Sequence, residues 1–296
     1  MRTSVFLAIA LLSIAAGAQT PDFSKIDIKA TRVAGQVFVL ESTGPEFSGG
    51  NVGVSVGPDG ILLVDDKFAP LAPKIQAALK GISDKPVRFV INTHFHGDHT
   101  NGNEVFGPIS TVIAHENTRK RMMAGRGADS PPAPAVALPI ITFEDKVSVH
   151  LNGEDITATH FPSAHTDTDV VVFFPQSKVL HMGDEFFNGV FPFIDTEGGG
   201  SAKGLIANIE KILPTLPADV KIIPGHGPLA TAKELRAFLD MMKDSVRIVE
   251  AGIKSKKSLD QLKKAKPLAK YDSWAWLIDA DGFLEMLYKD LTTKRG

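Results

Sequence analysis

His94-Phe95-His96-Gly97-Asp98-His99 follows the apolar run Val87-Arg88-Phe89-Val90-Ile91, and this junction decides the fold. The run reads as a buried strand, so the hexapeptide projects from a strand's C-terminal end into a loop. Open αβ sheets keep their chemistry at that end. Imidazole nitrogens and a carboxylate oxygen suit zinc or a similar borderline divalent ion. Four potential ligands in six residues make a chance cluster of polar loop residues improbable. Alternation lets His94 and His96 reach one ion, while Asp98 and His99 turn toward a neighbouring position.

Outward from the hexapeptide, all nine histidines lie between His94 and His226. His165 stands in Ser163-Ala164-His165-Thr166, Asp184 in Met182-Gly183-Asp184, and His226 in Pro224-Gly225-His226-Gly227. The chain has no cysteine, which removes disulfides, iron–sulfur centres and thiol nucleophiles and leaves any metal to histidines and carboxylates. With 32 Lys and Arg against 34 Asp and Glu, the formal net charge is −2. No basic field exists to hold a nucleic-acid backbone, so nucleic acid is not an expected partner.

The remaining pattern is strand-rich, with each half closed by helices. Gln36–Leu40, Asn51–Val56 and Ile61–Asp65 read as antiparallel strands separated by Gly and Pro turns. Leu71–Leu79 reads as a helix, Thr111–Ala114 as a strand, and Asn117–Met123 as a basic helix. Gly125–Pro139 carries four prolines and reads as a loop or lid. Strands resume over Val147–Leu151 and Ile156–Phe161, joined at Asn152-Gly153 by a pair suited to a type I′ turn. Val170–Phe174 and Lys178–His181 continue the sheet. Ala202–Leu213 is helical, Val220–Ile223 is a strand, and Ala232–Ala251 and Gly282–Leu291 are helices. This order predicts a two-layered sheet core flanked by helices, with no domain boundary.

The hexapeptide and the three later residues resemble, in order, the His-x-His-x-Asp-His signature and downstream ligands of the metallo-β-lactamase superfamily. The resemblance covers Val33–Pro228 and implies an α+β chain folded as a four-layer αβ/βα sandwich. Carried over, it assigns one ion to His94, His96 and His165, a second to Asp98, His99 and His226, and a bridging role to Asp184. Seven ligands exceed one tetrahedral ion and suit a pair sharing a carboxylate and a hydroxide. Asp98 is in addition the catalytic candidate that orients the attacking water. Asp65 resembles a strand-end aspartate that supports the metal loop, with Asp66 as its alternative, and His115 resembles a position beside the site. His150, His160 and His181 read as structural, and Asn92 and Thr93 as loop-shaping.

The resemblance implies two Zn2+, with Fe or Mn as other candidates, and a hydrolase attacking an amide, ester or thioester carbonyl of a small molecule. A β-lactam is one candidate substrate. Lactonase, glyoxalase-type thioesterase and phosphodiesterase activities stay open, with a mononuclear iron sulfur-oxidising oxygenase and a non-catalytic binding protein behind them. Subclasses with a cysteine ligand are excluded, because Asp184 stands where that thiolate would be. Phe187 replaces a lysine that holds the drug carboxylate in some of them.

Residues 1–18 have the form of a cleaved signal peptide: Arg2, then the apolar Val5–Ala16, then Ala16-Gly17-Ala18. Residues 19–296 are then expected to be one metallo-β-lactamase-fold domain with C-terminal helices, periplasmic or secreted and free of the membrane after cleavage. Glu41–Asn51 reads as a hairpin over the substrate, with Phe47 at its apolar tip and Thr43, Gly44 and Gly49-Gly50 lending mobility. Phe186–Phe193 is a candidate pocket wall or aromatic core. Lys203 and Arg126 are candidate cations for an anionic substrate. The tail with Trp274 and Trp276 packs on the core, caps the pocket or forms an interface.

Overall fold

Two sheets stack with their apolar faces together. The computed structural model describes residues 21–44, 47–125 and 131–293, so the signal-peptide reading and Arg126 lie outside the described residues. The first half runs β1 (Asp27–Ala34), β2 (Val37–Thr43), β3 (Val52–Gly57), β4 (Gly60–Val64), α1 (Ala72–Lys80), β5 (Val87–Ile91), α2 (Gly97–Thr100), α3 (Asn103–Phe106), β6 (Thr111–His115), α4 (Glu116–Ala124) and β7 (Ile141–Phe143). The second half runs β8 (Lys146–Leu151), β9 (Glu154–His160), β10 (Val170–Phe174), β11 (Val179–Phe187), α5 (Ala202–Ile212), β12 (Lys221–His226), α6 (Ala232–Lys254), α7 (Leu259–Ala265) and α8 (Ala280–Thr292).

The first seven strands form one sheet in chain order, and the last five form a second in the order β12-β11-β10-β9-β8. Pairing is antiparallel from β1 to β4 and parallel from β4 to β7. In the second sheet β11 and β12 run parallel, which sets the ends of both at one edge.

Strand alternation explains the layers. Val37, Val39, Leu62, Val64 and Ile91 point inward and meet Ile156, Val170, Val172 and Ile223 of the other sheet. Leu40, Ile61, Leu63 and Val90 point outward onto Ile75 and Leu79 of α1. On the far side, Leu180, Met182 and Ile222 pack against Leu205 and Ile209 of α5, Phe238 and Met242 of α6, and Phe283 of α8. Three apolar interfaces therefore separate four layers, the αβ/βα sandwich expected. Each fully buried Leu, Ile or Phe contributes about 1.5–3 kcal/mol. Among the described residues, no helix is long and apolar enough to cross a membrane.

The Asn152-Gly153 turn has φ of +56° and +74°, the left-handed pair that a type I′ hairpin needs. Two strands escaped the sequence pattern. β1 is nowhere fully buried, and β7 has only three residues with Ile141 exposed, so neither carries a clean apolar period. Two others run longer than expected. β11 continues past His181 to Phe187, buried throughout, and β12 reaches His226. Asp184 therefore lies inside a strand rather than at its end.

Candidate metal centre

The seven predicted ligand residues converge at the edge where the two sheets meet. Ligand atoms of His94, His96, His165 and Asp184 lie within 4.8 Å of one another, and so do those of Asp98, His99 and His226. The Asp184 carboxylate stands between the groups. Its Oδ2 is 3.3 Å from His165 Nε2, 3.5 Å from His226 Nε2 and 3.8 Å from His94 Nε2, and its Oδ1 is 3.2 Å from His99 Nε2.

Local backbone sets these positions. His94 and His96 leave β5 in the extended loop before α2, whose first turn carries Asp98 and His99. At Gly183 (φ +50°) the pairing of β11 with β12 slips, which turns Asp184 toward the cluster. A Cβ there would lie 2.6 Å from the Thr93 side chain, so only glycine fits. Asp65 and Lys67 follow β4 with φ of +65° and +61°, costly for non-glycine residues and of the kind that clusters at functional sites.

Each imidazole of the first group is held from behind. His96 Nε2 donates to Asp195 Oδ2 at 2.8 Å, and His165 Nδ1 to the Phe193 carbonyl at 2.7 Å. His94 Nδ1 donates to Thr93 Oγ1 at 3.1 Å, which in turn donates to Asp65 Oδ2 at 2.8 Å. The same Asp65 oxygen accepts from His99 Nδ1 at 2.7 Å. With the outward nitrogen protonated, the inward nitrogen of each neutral ring presents a lone pair. These inward atoms crowd together: His94 Nε2 is 3.2 Å and His165 Nε2 2.9 Å from His96 Nδ1, and His99 Nε2 is 3.4 Å from His226 Nε2.

The electrostatics agree. Burial holds His94 and His165 below the ordinary imidazole range. Burial also opposes charge on His99, but Asp184, Asp98 and Asp65 outweigh it and hold that ring well above its usual range. His226 is raised in the same way, with Asp184 overcoming burial. Burial would raise Asp98 and Asp184, yet their histidine neighbours hold both carboxylates well below the usual range. Inward-facing imidazole nitrogens and two ionised, buried carboxylates form a donor set that fits divalent cations.

Other expectations divide. Asp65 takes the supporting position, accepting from Thr93 N as well at 2.7 Å. Asp66 does not: its oxygens are buried without hydrogen-bond partners, and burial with the adjacent Asp65 pushes its pKa well up. His115 is corrected outright. Its ring stacks on His160 at 3.6 Å, and its Nδ1 caps α4 by accepting from Asn117 N, so its contacts lie on β9 and α4 rather than in the cluster. Lys203 pairs with Glu250 on the outer helices, which removes it as a substrate cation. Gly49 and Gly50, expected to lend mobility, are fixed by close approach, since a Cβ on Gly50 would sit 2.1 Å from His99 Cε1.

Three positioning residues carried no sequence signal. Asp195 holds His96. Asn51 bonds the Pro224 and Gly227 carbonyls through its side chain and the Gly225 carbonyl through its amide, tying β3 to the turn that bears His226. Buried Lys67 donates to the Gly49 and Gly50 carbonyls, and burial lowers its pKa to about 8 against the pull of Asp98 and Asp65. Each is a single polar residue outside any motif.

A cavity of about 710 Å³ opens over the cluster. Phe187 and Phe47 flank the His226 ring at 5.2 Å and 5.8 Å, and Phe47 meets Trp276 at 5.8 Å. The stretch Phe186–Phe193 splits between the two expectations: Phe187, Phe191 and Phe193 line the cavity, while Phe186 packs on Phe238 in the core. Trp276 caps the cavity's rim and Trp274 packs on Phe238.

Comparison with known proteins gives a consistent picture. The model of the metallo-beta-lactamase superfamily matches residues 46–226. The chain is 25% identical over 236 residues to a linear primary-alkylsulfatase of a Pseudomonas species, covering 65% of this chain and 44% of that protein. It is 31% identical over 140 residues to the hydroxyacylglutathione hydrolase of Nitrosococcus oceani, covering 46% of this chain and 47% of that one. The chain thus spans less than half the length of these curated relatives. Among solved structures, a metallo-beta-lactamase from Pontibacter korlensis superposes with a TM-score of 0.59 at 20% identity over 73% of this chain and 99% of that one. The DIM-1 metallo-beta-lactamase gives 0.60 at 18% over 74% and 98%.

Proposed function

From the premise that this chain belongs to the metallo-β-lactamase superfamily, we propose that it is a dinuclear metal-dependent hydrolase of small molecules with a carbonyl at the scissile bond, whether amide, ester or thioester. The observation that carries the reading is the set of inward-facing imidazole nitrogens gathered around the Asp184 carboxylate, with the other nitrogen of His94, His96, His99 and His165 each held by an oxygen. His94, His96 and His165 would hold one ion, and Asp98, His99 and His226 the other, with Asp184 shared. Zinc suits this nitrogen and oxygen set, and iron or manganese would be accepted by the same donors. Such ions supply polarisation of the substrate carbonyl and acidification of water.

The chain's own groups do the rest. Asp98 is 17% exposed against 4% for Asp184, so it is the carboxylate that can touch a water in the cavity, orient it and take its proton. Asp65, Thr93 and Asp195 hold the outward ring nitrogens and so aim the inward nitrogens of His99, His94 and His96 at the cluster. Phe47, Phe187 and Trp276 exclude bulk water from one side of the site, which strengthens every polar interaction beneath them.

An exported enzyme is part of the proposal, and its support is the sequence of residues 1–18 alone. N-terminal sequencing of the protein from its native host tests it, with Gln19 expected as the first residue.

Metal analysis of the purified chain, together with assays on cephalosporin, thioester, lactone and phosphodiester substrates, tests the hydrolase reading. Two divalent ions per chain are expected. Asp184→Asn should lose metal and hydrolysis together. One iron per chain without hydrolysis would favour the oxygenase, and full metal and activity in Asp184→Asn would end the assignment.

A further inference from the structure

We propose that the part of the substrate lying away from its scissile bond is apolar and uncharged, so that neutral esters, thioesters or lactones with a hydrophobic chain or ring are preferred. The inference rests on the hydrolase reading and narrows it. The cavity's polar lining is the ligand cluster His96, Asp98, His165, Asp184 and His226 on its floor, with Thr100, Asn101 and Glu104 on one side. Above them the wall is aromatic and comes from three distant segments: Phe47 before β3, Phe187 with Phe193 around the end of β11, and Trp276 between α7 and α8. A hydrogen bond from Phe191 N to the Trp274 carbonyl, 2.9 Å long, ties the second segment to the third.

Large apolar side chains are left in water at the mouth. Phe193 is 42% exposed, Trp276 52% and Leu277 59%. Grouped exposure of this kind around a cavity marks a surface made to be covered by a ligand.

Charge points the same way. Among the described residues that line the cavity there is no Lys or Arg, and the charged residue above the floor is Glu104. Neighbouring cations are already engaged. Arg121 makes two 2.6 Å bonds to Asp167, and Lys67 donates to the Gly49 and Gly50 carbonyls. A carboxylate, sulfate or phosphate at the far end of a substrate would lose its hydration among aromatic rings, find no cation among the described lining residues, and face Glu104. An uncharged chain there would bury apolar area at no such cost.

The test compares two nitrophenyl esters on the metal-loaded full chain, the hexanoate and the adipate monoester, which differ by a terminal carboxylate. The neutral ester is expected to have a kcat/KM at least about tenfold higher, chiefly through KM. Glu104→Lys should narrow or reverse that ratio. Equal rates, or a faster carboxylate, would overturn the inference while leaving the hydrolase reading intact. Hydrolysis of neither ester, and of none of the four substrate classes above, would instead sink the hydrolase reading. The cavity's preference is then read from quenching of tryptophan fluorescence by the two unreacted esters, in the native chain against Trp276→Phe. Tighter binding of the neutral ester supports the inference, and equal binding defeats it.

Discussion

Asp65 Oδ2 lies 2.7 Å from His99 Nδ1, and through Thr93 Oγ1 the same oxygen also reaches His94 Nδ1, so one buried carboxylate orients an imidazole in each of the two ligand groups. Loss of its charge should weaken both. Asp65→Asn is expected to lower metal affinity by about 10- to 100-fold, measured by chelator competition, with little change in fold by circular dichroism. Unchanged affinity would mean that Asp65 serves only the turn after β4.

Crowding around the ligands gives a prediction that removes no ligand. A Cβ on Gly225 would fall 2.0 Å from Asp184 Oδ1, and one on Gly50 2.1 Å from His99 Cε1. Gly225→Ala and Gly50→Ala should each cut metal content per chain. Gly153→Ala is the control: its φ of +74° imposes backbone strain, but a Cβ there meets nothing within 4 Å. That variant should lose about 1 kcal/mol of stability and keep its metal.

Ion binding should displace protons. His99 and His226 sit above the ordinary imidazole range because carboxylates outweigh their burial, so at neutral pH the ion-free centre carries protons that a ligand nitrogen must lose. Titration calorimetry of zinc in buffers of different ionisation enthalpy should show net proton release at pH 7. Affinity should fall as the pH is lowered. A buffer-independent heat would contradict this.

A second pH effect lies outside the ligand set. Buried His181 donates from Nε2 to the Asn51 carbonyl and accepts at Nδ1 from Gly183 N, which fixes a neutral tautomer. Burial lowers its pKa to about 4. The unfolded ring protonates near pH 6.5 and the folded ring does not, so this stabilisation is complete above pH 6.5 and is lost as pH falls toward 4. The loss amounts to about 3 kcal/mol. Thermal denaturation across that window should show a flatter slope in His181→Asn than in the native chain, whatever the variant's absolute stability.

How much of this was legible in the sequence follows from what kind of signal each residue leaves. The hexapeptide at the end of Val87–Ile91 announces itself because four ligand-type side chains crowd into one turn, and His165, Asp184 and His226 because they follow it in the order of the family's later ligands. His115 misled because a strand end beside Glu116 looks the same in sequence whether the ring turns toward the cluster or onto His160. Asp195 and Asn51 left no trace, since a lone polar residue acquires its role only when distant loops meet. The aromatic wall was half visible: Phe187 and Phe193 stand in an apolar run, but Trp276 lies beyond Pro228, where the family resemblance stops.

The ligands are drawn from both sheets, the hexapeptide from the first and His165, Asp184 and His226 from the second. Neither sheet alone therefore completes a ligand group around Asp184, and it is β12, lying beside β11, that brings His226 to the seam. A cation held there would act as a rivet through that seam, joining the two halves of the chain.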